Sequence, residues 1–210
     1  MVRFVAAVAL STFLIACQSS SKPVATVSPS PVKHPAVTDV VLQTSEIPRG
    51  LGACPGSGPV AGYLAKLRAA DAALGLAMTL RWQQLQAKGA TNAAINVVGD
   101  GGTVCTSELG VTTDGKSVTT FVTEFADQGQ AERAWASGVL GFVPPAPDQV
   151  EPGLIRGTVT GLGISSWTYE RPSVVLACWR RSVYVVLVIV ANMQAADFKA
   201  VTAAIDARIN

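Results

Sequence analysis

Few residues of this chain could do chemistry by type and spacing, and together they exclude most familiar reactions. There is one histidine, His34, and it falls in a Ser- and Pro-rich stretch. A Ser-His-Asp or Cys-His site in a folded domain further on is thereby excluded, as is a His-rich zinc site. The cysteines are Cys17, Cys54, Cys105 and Cys178, too far apart for any Cys-x-x-Cys redox or zinc motif. Ser19-Ser20-Ser21-Lys22 fits the letters of a Ser-x-x-Lys nucleophile motif but sits beside Cys17 rather than opening a buried helix. Gly161-Leu162-Gly163 lacks the third glycine of a dinucleotide loop, and Asp100 among glycines lacks the alternating acids of a calcium loop. No cofactor or metal motif is therefore identified. Glu124, Asp127 and Glu170 could serve as paired acids on a sugar if the fold brings them together, but solvated faces are the expected explanation. Trp82, Trp135, Trp167 and Trp179 fall in element-like segments, where core packing is expected rather than sugar stacking.

The remaining chemistry is an acylation site. Arg3 is followed by Phe4 to Ala16, an apolar run broken only by Ser11 and Thr12. As a helix this run would measure roughly 20 Å, short of the ~30 Å hydrocarbon core of a bilayer. Small Ala16 then precedes Cys17. Leu14-Ile15-Ala16-Cys17 resembles the lipobox of bacterial lipoproteins at all four positions: Leu, an aliphatic residue, a small residue and the cysteine. The resemblance implies cleavage after residue 16 and diacylglyceryl attachment at Cys17. Two or three acyl chains, at ~0.8 kcal/mol per buried methylene, make such an attachment stable where one chain does not. It implies a protein of the cell membrane, lipid-anchored on the extracytoplasmic face. The bilayer is then its first partner, with an envelope protein or polysaccharide as a further one. Gln18, rather than Asp, leaves an outer membrane open as the destination.

Loss of residues 1–16 removes Arg3 and lowers the net charge from +2 to +1. Neither that charge nor export suits general nucleic-acid binding. Residues 49–90 carry Arg49, Lys66, Arg68, Arg81 and Lys88 against Asp71, whereas 100–151 are strongly acidic; complementary solvated faces are the expected outcome. Residues 17–45 form the lipidated cysteine and a Ser/Pro-rich tether without aromatic residues, expected to be disordered. As a flexible coil it would hold a domain roughly 30 Å from the bilayer, and up to about 80 Å when extended. Residues 46–210 are one domain, with Val40-Val41-Leu42 close enough to touch it.

Within that domain, alanines and the spacing of Leu64, Leu67, Leu74, Met78 and Leu85 predict a helical stretch from Val60 to Lys88, broken near Gly75. Strands are predicted over Ala94–Val98, Ser117–Phe125, Gly157–Tyr169, Val174–Trp179 and Ser182–Ala191, with Arg180-Arg181 in a hairpin turn. The last strand is apolar on both faces and belongs inside a sheet covered on both sides. Gln128–Ser137 is predicted helical, residues 141–153 with their four prolines irregular, and the C-terminus helical behind an Asn192 cap. The fold class is α+β: a mainly antiparallel sheet with helices packed on it and a C-terminal helix.

Cys54 and Cys105 lie beside glycine-rich turns and are the expected disulfide pair, leaving Cys178 as a buried thiol within a strand. A non-catalytic binding or interaction lipoprotein fits these features best. The alternatives are a carboxylate-based enzyme acting on envelope polysaccharide and a spacer without a specific ligand. The anchoring reading makes a direct prediction. Cys17→Ala should move the protein from the membrane fraction to the soluble fraction in cell fractionation, and unchanged membrane retention contradicts it.

Overall fold

The computed structural model describes residues 34–210. The signal segment, Cys17, Ser19–Lys22 and the tether up to residue 33 lie outside the described residues. The strand with the simplest sequence occupies the centre. β8 (Tyr184–Ala191) is buried at every residue, because a strand apolar on both faces is satisfied only between two covering layers. It pairs with β4 (Ser117–Phe125) on one side and β7 (Val174–Arg181) on the other. Beyond β4 come β3 (Ala90–Gly99) and the short β1 (Gly52–Ala53) and β2 (Gly58–Pro59); beyond β7 come β6 (Ser166–Arg171) and β5 (Leu154–Arg156). All eight strands are antiparallel to their neighbours, and the order β1-β3-β4-β8-β7-β6-β5, with β2 also on β3, closes one α+β sheet.

Strand alternation divides the core in two. One face, with Ile95, Phe121, Leu187 and Cys178, is covered by α2 (Val60–Ala70), α3 (Ala72–Ala87) and α4 (Gln128–Ser137). The other, with Val118, Val122, Val188 and Trp179, is covered by α1 (Val37–Val40) and α5 (Ala195–Ile209). Adjacent residues therefore serve opposite layers. Thr119 Oγ1 donates to Leu109 O at 2.6 Å on the first face, while Thr120 Oγ1 accepts from Leu42 N at 3.2 Å on the second. Arg180 pairs with Glu132 of α4 at 2.5 Å. Its neighbour Arg181 makes a two-point contact with Asp206 of α5, both bonds 3.0 Å. Arg180-Arg181 thus ends β7 rather than forming the turn; the turn is Ser182-Val183, with Ser182 at φ 49°.

Several expectations are corrected. The domain begins before residue 46: Val37, Val40, Val41 and Leu42 are buried. Asn96 Nδ2 holds Leu42 O at 2.7 Å, Arg208 Nη1 holds Val40 O at 3.0 Å, and Arg208 also pairs with Glu46. This apolar cluster covers sheet area beside α5, a demand that the Ser/Pro composition of the preceding segment conceals. His34 likewise belongs to the folded body, its ring edge-on to Tyr184 at 5.9 Å. The helical stretch breaks at Asp71, which accepts from Leu74 N at 2.9 Å as the cap of α3. Gly75 lies inside α3, where an added Cβ would fall 2.4 Å from Arg68 Cα; the glycine lets α2 and α3 touch. Gly157–Tyr169 is not one strand. A 3-10 turn at Gly157–Thr160 and the left-handed Gly161 and Gly163 separate β5 from β6. Asn192 is not the cap of α5: Gln194 and Asp197 form a capping box, and Asn192 Nδ2 donates to Thr112 O and Gly115 O. Of the expected charge complementarity, Arg81–Glu108 is the ion pair described between the basic and acidic regions.

Cys54 and Cys105 form the disulfide, their Cα atoms 5.2 Å apart. Cys178 is free and fully buried, and burial pushes its thiol up to about 12. Two outcomes follow. Replacing Cys54 and Cys105 by Ser should lower unfolding free energy by about 4 kcal/mol in urea titration, from the chain entropy of a 51-residue loop. In the native state at pH 8, Cys178 should resist iodoacetamide and react only on unfolding; prompt native-state alkylation contradicts its placement.

Candidate functional site

The helical layer over the first face stops short of the sheet's outer edge. Past α4, which reaches β7 through Glu132 and Arg180, the cover over the rest of β7, β6 and β5 is the irregular segment 138–153. It begins as a tight turn, Val139 and Phe142 exchanging backbone bonds of 3.0 and 2.8 Å. Val139 and Leu140 are buried there, and Phe142 packs against the core. Pro144, Pro145 and Pro147 follow, and their rings cannot extend the sheet. The segment is tied down at its far end. Arg156 Nη1 donates to Pro147 O at 2.7 Å. Glu151 receives Tyr169 OH at 2.7 Å, Gln149 Nε2 at 2.7 Å and Arg171 Nη2 at 3.4 Å. The Arg171 guanidinium also lies over the Tyr169 ring at 4.5 Å. Gly153, at φ 82°, completes the attachment, since a Cβ there would fall 2.2 Å from Glu170 O.

Segment and sheet enclose three adjoining hollows. The first, about 460 Å³, is bounded by Leu109, Val111, Phe142, Val174, Leu176 and Ile189. The second, about 480 Å³, shares Phe142 and Leu176 with it and adds Pro144, Leu154, Trp167 and Tyr169. The third, about 340 Å³, shares Pro144, Pro145 and Trp167 with the second and reaches Trp135, Arg156 and Ile164. These shared walls make one trough running across the strands. Its floor is a cross-strand row: Ile189 opposite Leu176, Leu176 opposite Tyr169, and Tyr169 opposite Leu154. Three strand spacings make that row roughly 14 Å long. Val143 and Ile164 stand exposed at the rim, 60% and 82% accessible. Sites that hold small ligands are commonly apolar concavities of this kind with a few fixed polar groups.

A separate hollow of about 820 Å³ lies by Arg49, Lys116, Asn192 and Asp197. It is polar, and Asn192 and Asp197 are already engaged in turn and cap contacts.

The predicted residues distribute as follows. Cys54 and Cys105 meet in the disulfide, far from any role in the trough lining, and Cys17 lies outside the described residues. The three acids do not converge. Glu124 accepts from Asn92 Nδ2 at 3.0 Å, and Asp127 caps α4 through Gln130 N at 2.7 Å. Glu170 lies in the row of Val175, Val190 and Val118, six residues along β4 from Glu124, or roughly 20 Å. Trp167 and Trp179 are core residues as expected, on opposite faces of the sheet, and Trp82 and Trp135 pack partly buried against the core that holds Trp167. That Trp135 and Trp167 also wall a trough is new, as are Phe142, Tyr169, Leu176 and Arg156. The prolines of 144–147 were legible only as a break in regular structure. Among the described residues no three His, Cys, Asp or Glu side chains gather to hold a metal ion, and no helix is long and apolar enough to cross a membrane.

No protein-family model matches this chain, and no curated protein or solved structure matches it either.

Proposed function

We propose that this protein is a lipid-anchored envelope protein that holds an apolar or amphiphilic ligand in the trough beneath residues 139–153, without transforming it chemically. The trough itself carries this reading: three joined hollows with a Phe, Pro, Trp, Tyr and Leu lining. The carboxylates agree with it. Glu108 and Glu151 at the trough are held by Arg81 and by Tyr169 with Arg171, and Asp71, Asp127 and Asp197 cap helices. A well-formed trough speaks against a bare spacer, and the separation of Glu124 from Glu170 speaks against those acids as a sugar-cleaving pair. The Cys54–Cys105 disulfide suits the oxidising compartment to which a lipobox at Cys17 would deliver the chain.

The test uses a neutral apolar fluorophore, N-phenylnaphthylamine, titrated into the full chain carrying Cys17→Ser to avoid acyl competition. Saturable enhancement is expected. Val143→Asp, a charge placed at an exposed point of the rim, should weaken it about tenfold, or ~1.4 kcal/mol, with circular dichroism unchanged. Absence of saturable binding, or indifference to the substitution, contradicts the reading.

A further inference from the structure

The third hollow has a feature that an apolar wall does not require. Trp135 Nε1, Trp167 Nε1 and Arg156 Nε are buried donors with no acceptor. All three residues line that one hollow. Trp167 and Arg156 stand directly opposite each other across the β6–β5 pair, and Trp135 comes from α4. Unpartnered donors occur elsewhere too, Trp179 Nε1 on the opposite face of the sheet and Tyr63 OH on this one, but these three share one hollow. Buried donors are normally satisfied, so three at one place point to a missing acceptor.

The surrounding side chains do not supply it. Proline, glycine and isoleucine side chains carry no acceptor, and Pro147 O already accepts from Arg156 Nη1. Ser166 Oγ is engaged with Gly157 O, Gly163 O and Thr160. Arg156 belongs to none of the ion pairs among the described residues. The hollow is thus cationic, rich in side-chain donors and short of side-chain acceptors. It also opens through Pro144, Pro145 and Trp167 into the apolar remainder of the trough. Glu151, the acid nearest along that path, has its oxygens occupied by Tyr169, Gln149 and Arg171.

From this arrangement we infer that the ligand is an anionic amphiphile. Its carboxylate or phosphate oxygens accept from Arg156, Trp135 and Trp167, and its chain lies along the Tyr169–Leu176–Ile189 floor. The inference rests on the trough being a ligand site and adds the head group. An acid in contact with a guanidinium makes stronger hydrogen bonds than a neutral hydroxyl does, so head-group charge should dominate selectivity.

Isothermal titration of the full chain with Cys17→Ser distinguishes the possibilities, using dodecanoate, dodecyl phosphate, dodecanol, acetate and inorganic phosphate below micellar concentrations. At least one of the two anionic amphiphiles should bind ten times more tightly than dodecanol, with acetate and inorganic phosphate far weaker. Arg156→Gln should erase that preference while leaving dodecanol unchanged, and Arg156→Lys should restore part of it. Should Arg156→Gln fail to fold, Trp135→Phe carries the same test: it keeps the ring and removes one donor, weakening the anionic amphiphile severalfold but not dodecanol. Equal affinity for anion and alcohol overturns the head-group assignment while the trough reading stands. Acetate or phosphate alone binding as tightly as the amphiphile overturns the shared site. If neither anionic amphiphile binds, the inference fails, and the neutral fluorophore decides whether the trough reading fails with it.

Discussion

Burial of β8 on both faces is the constraint from which the architecture follows. Eight consecutive residues from Tyr184 to Ala191, nearly all aliphatic, cannot tolerate water on either side, so the chain must supply two covering layers. The helical segments before and just after β4 cover one face. The other is left to α5, which alone is too narrow, and the N-terminal segment 37–42 completes it. The order of the chain thereby becomes a closed body: its first described residues and its last helix lie on the same face, joined by Arg208 to Val40 O and Glu46. Tyr184 shows the same joining, its hydroxyl donating to Pro35 O while burial raises its ionisation to about 12.

The two layers are pinned separately. Because successive side chains on a strand alternate, Arg180 and Arg181 reach α4 and α5 from adjacent positions. Thr119 and Thr120 do the same at the middle of β4, each giving a polar anchor to a loop that would otherwise lie unattached on an apolar surface. Single residues thus register the layers without interrupting the core.

The trough is where this scheme runs out. α4 is only ten residues long, and the sheet extends past it through β7, β6 and β5. A proline-rich segment covers that margin, and proline rings fit neither a sheet ladder nor a helix interior, so the cover stands off the floor instead of merging with it. Within that segment, Phe142 is the side chain that packs with the core while also walling two of the hollows. A gap left by ordinary packing rules, lined by rings and edged by one unpaired guanidinium, is the feature on which the proposed ligand-holding role rests.

Regular structure was readable from the chain because its signals are local. The two-sided apolar pattern of β8, the alternation of β4 and the limits of Gln128–Ser137 all depend on near neighbours. The glycine-turn pairing of Cys54 with Cys105 was readable too, since both flanking segments must fold back. Gly75 misled because a helix interior glycine at a helix–helix contact has the same letter as a breaker. The segment 37–42 misled because its burial is decided by sheet area exposed more than fifty residues later. The trough was not legible at all: it depends on α4 ending before the sheet does and on Trp135, Arg156 and Trp167, from three different elements, meeting at one hollow. The most direct measurement of the central claim is native-state hydrogen exchange on the full chain with saturating dodecanoate. Slowed exchange confined to residues 139–156 and 166–176, with β8 unchanged, is the result this account predicts; protection absent there, or appearing instead on α2 and α3, would contradict it.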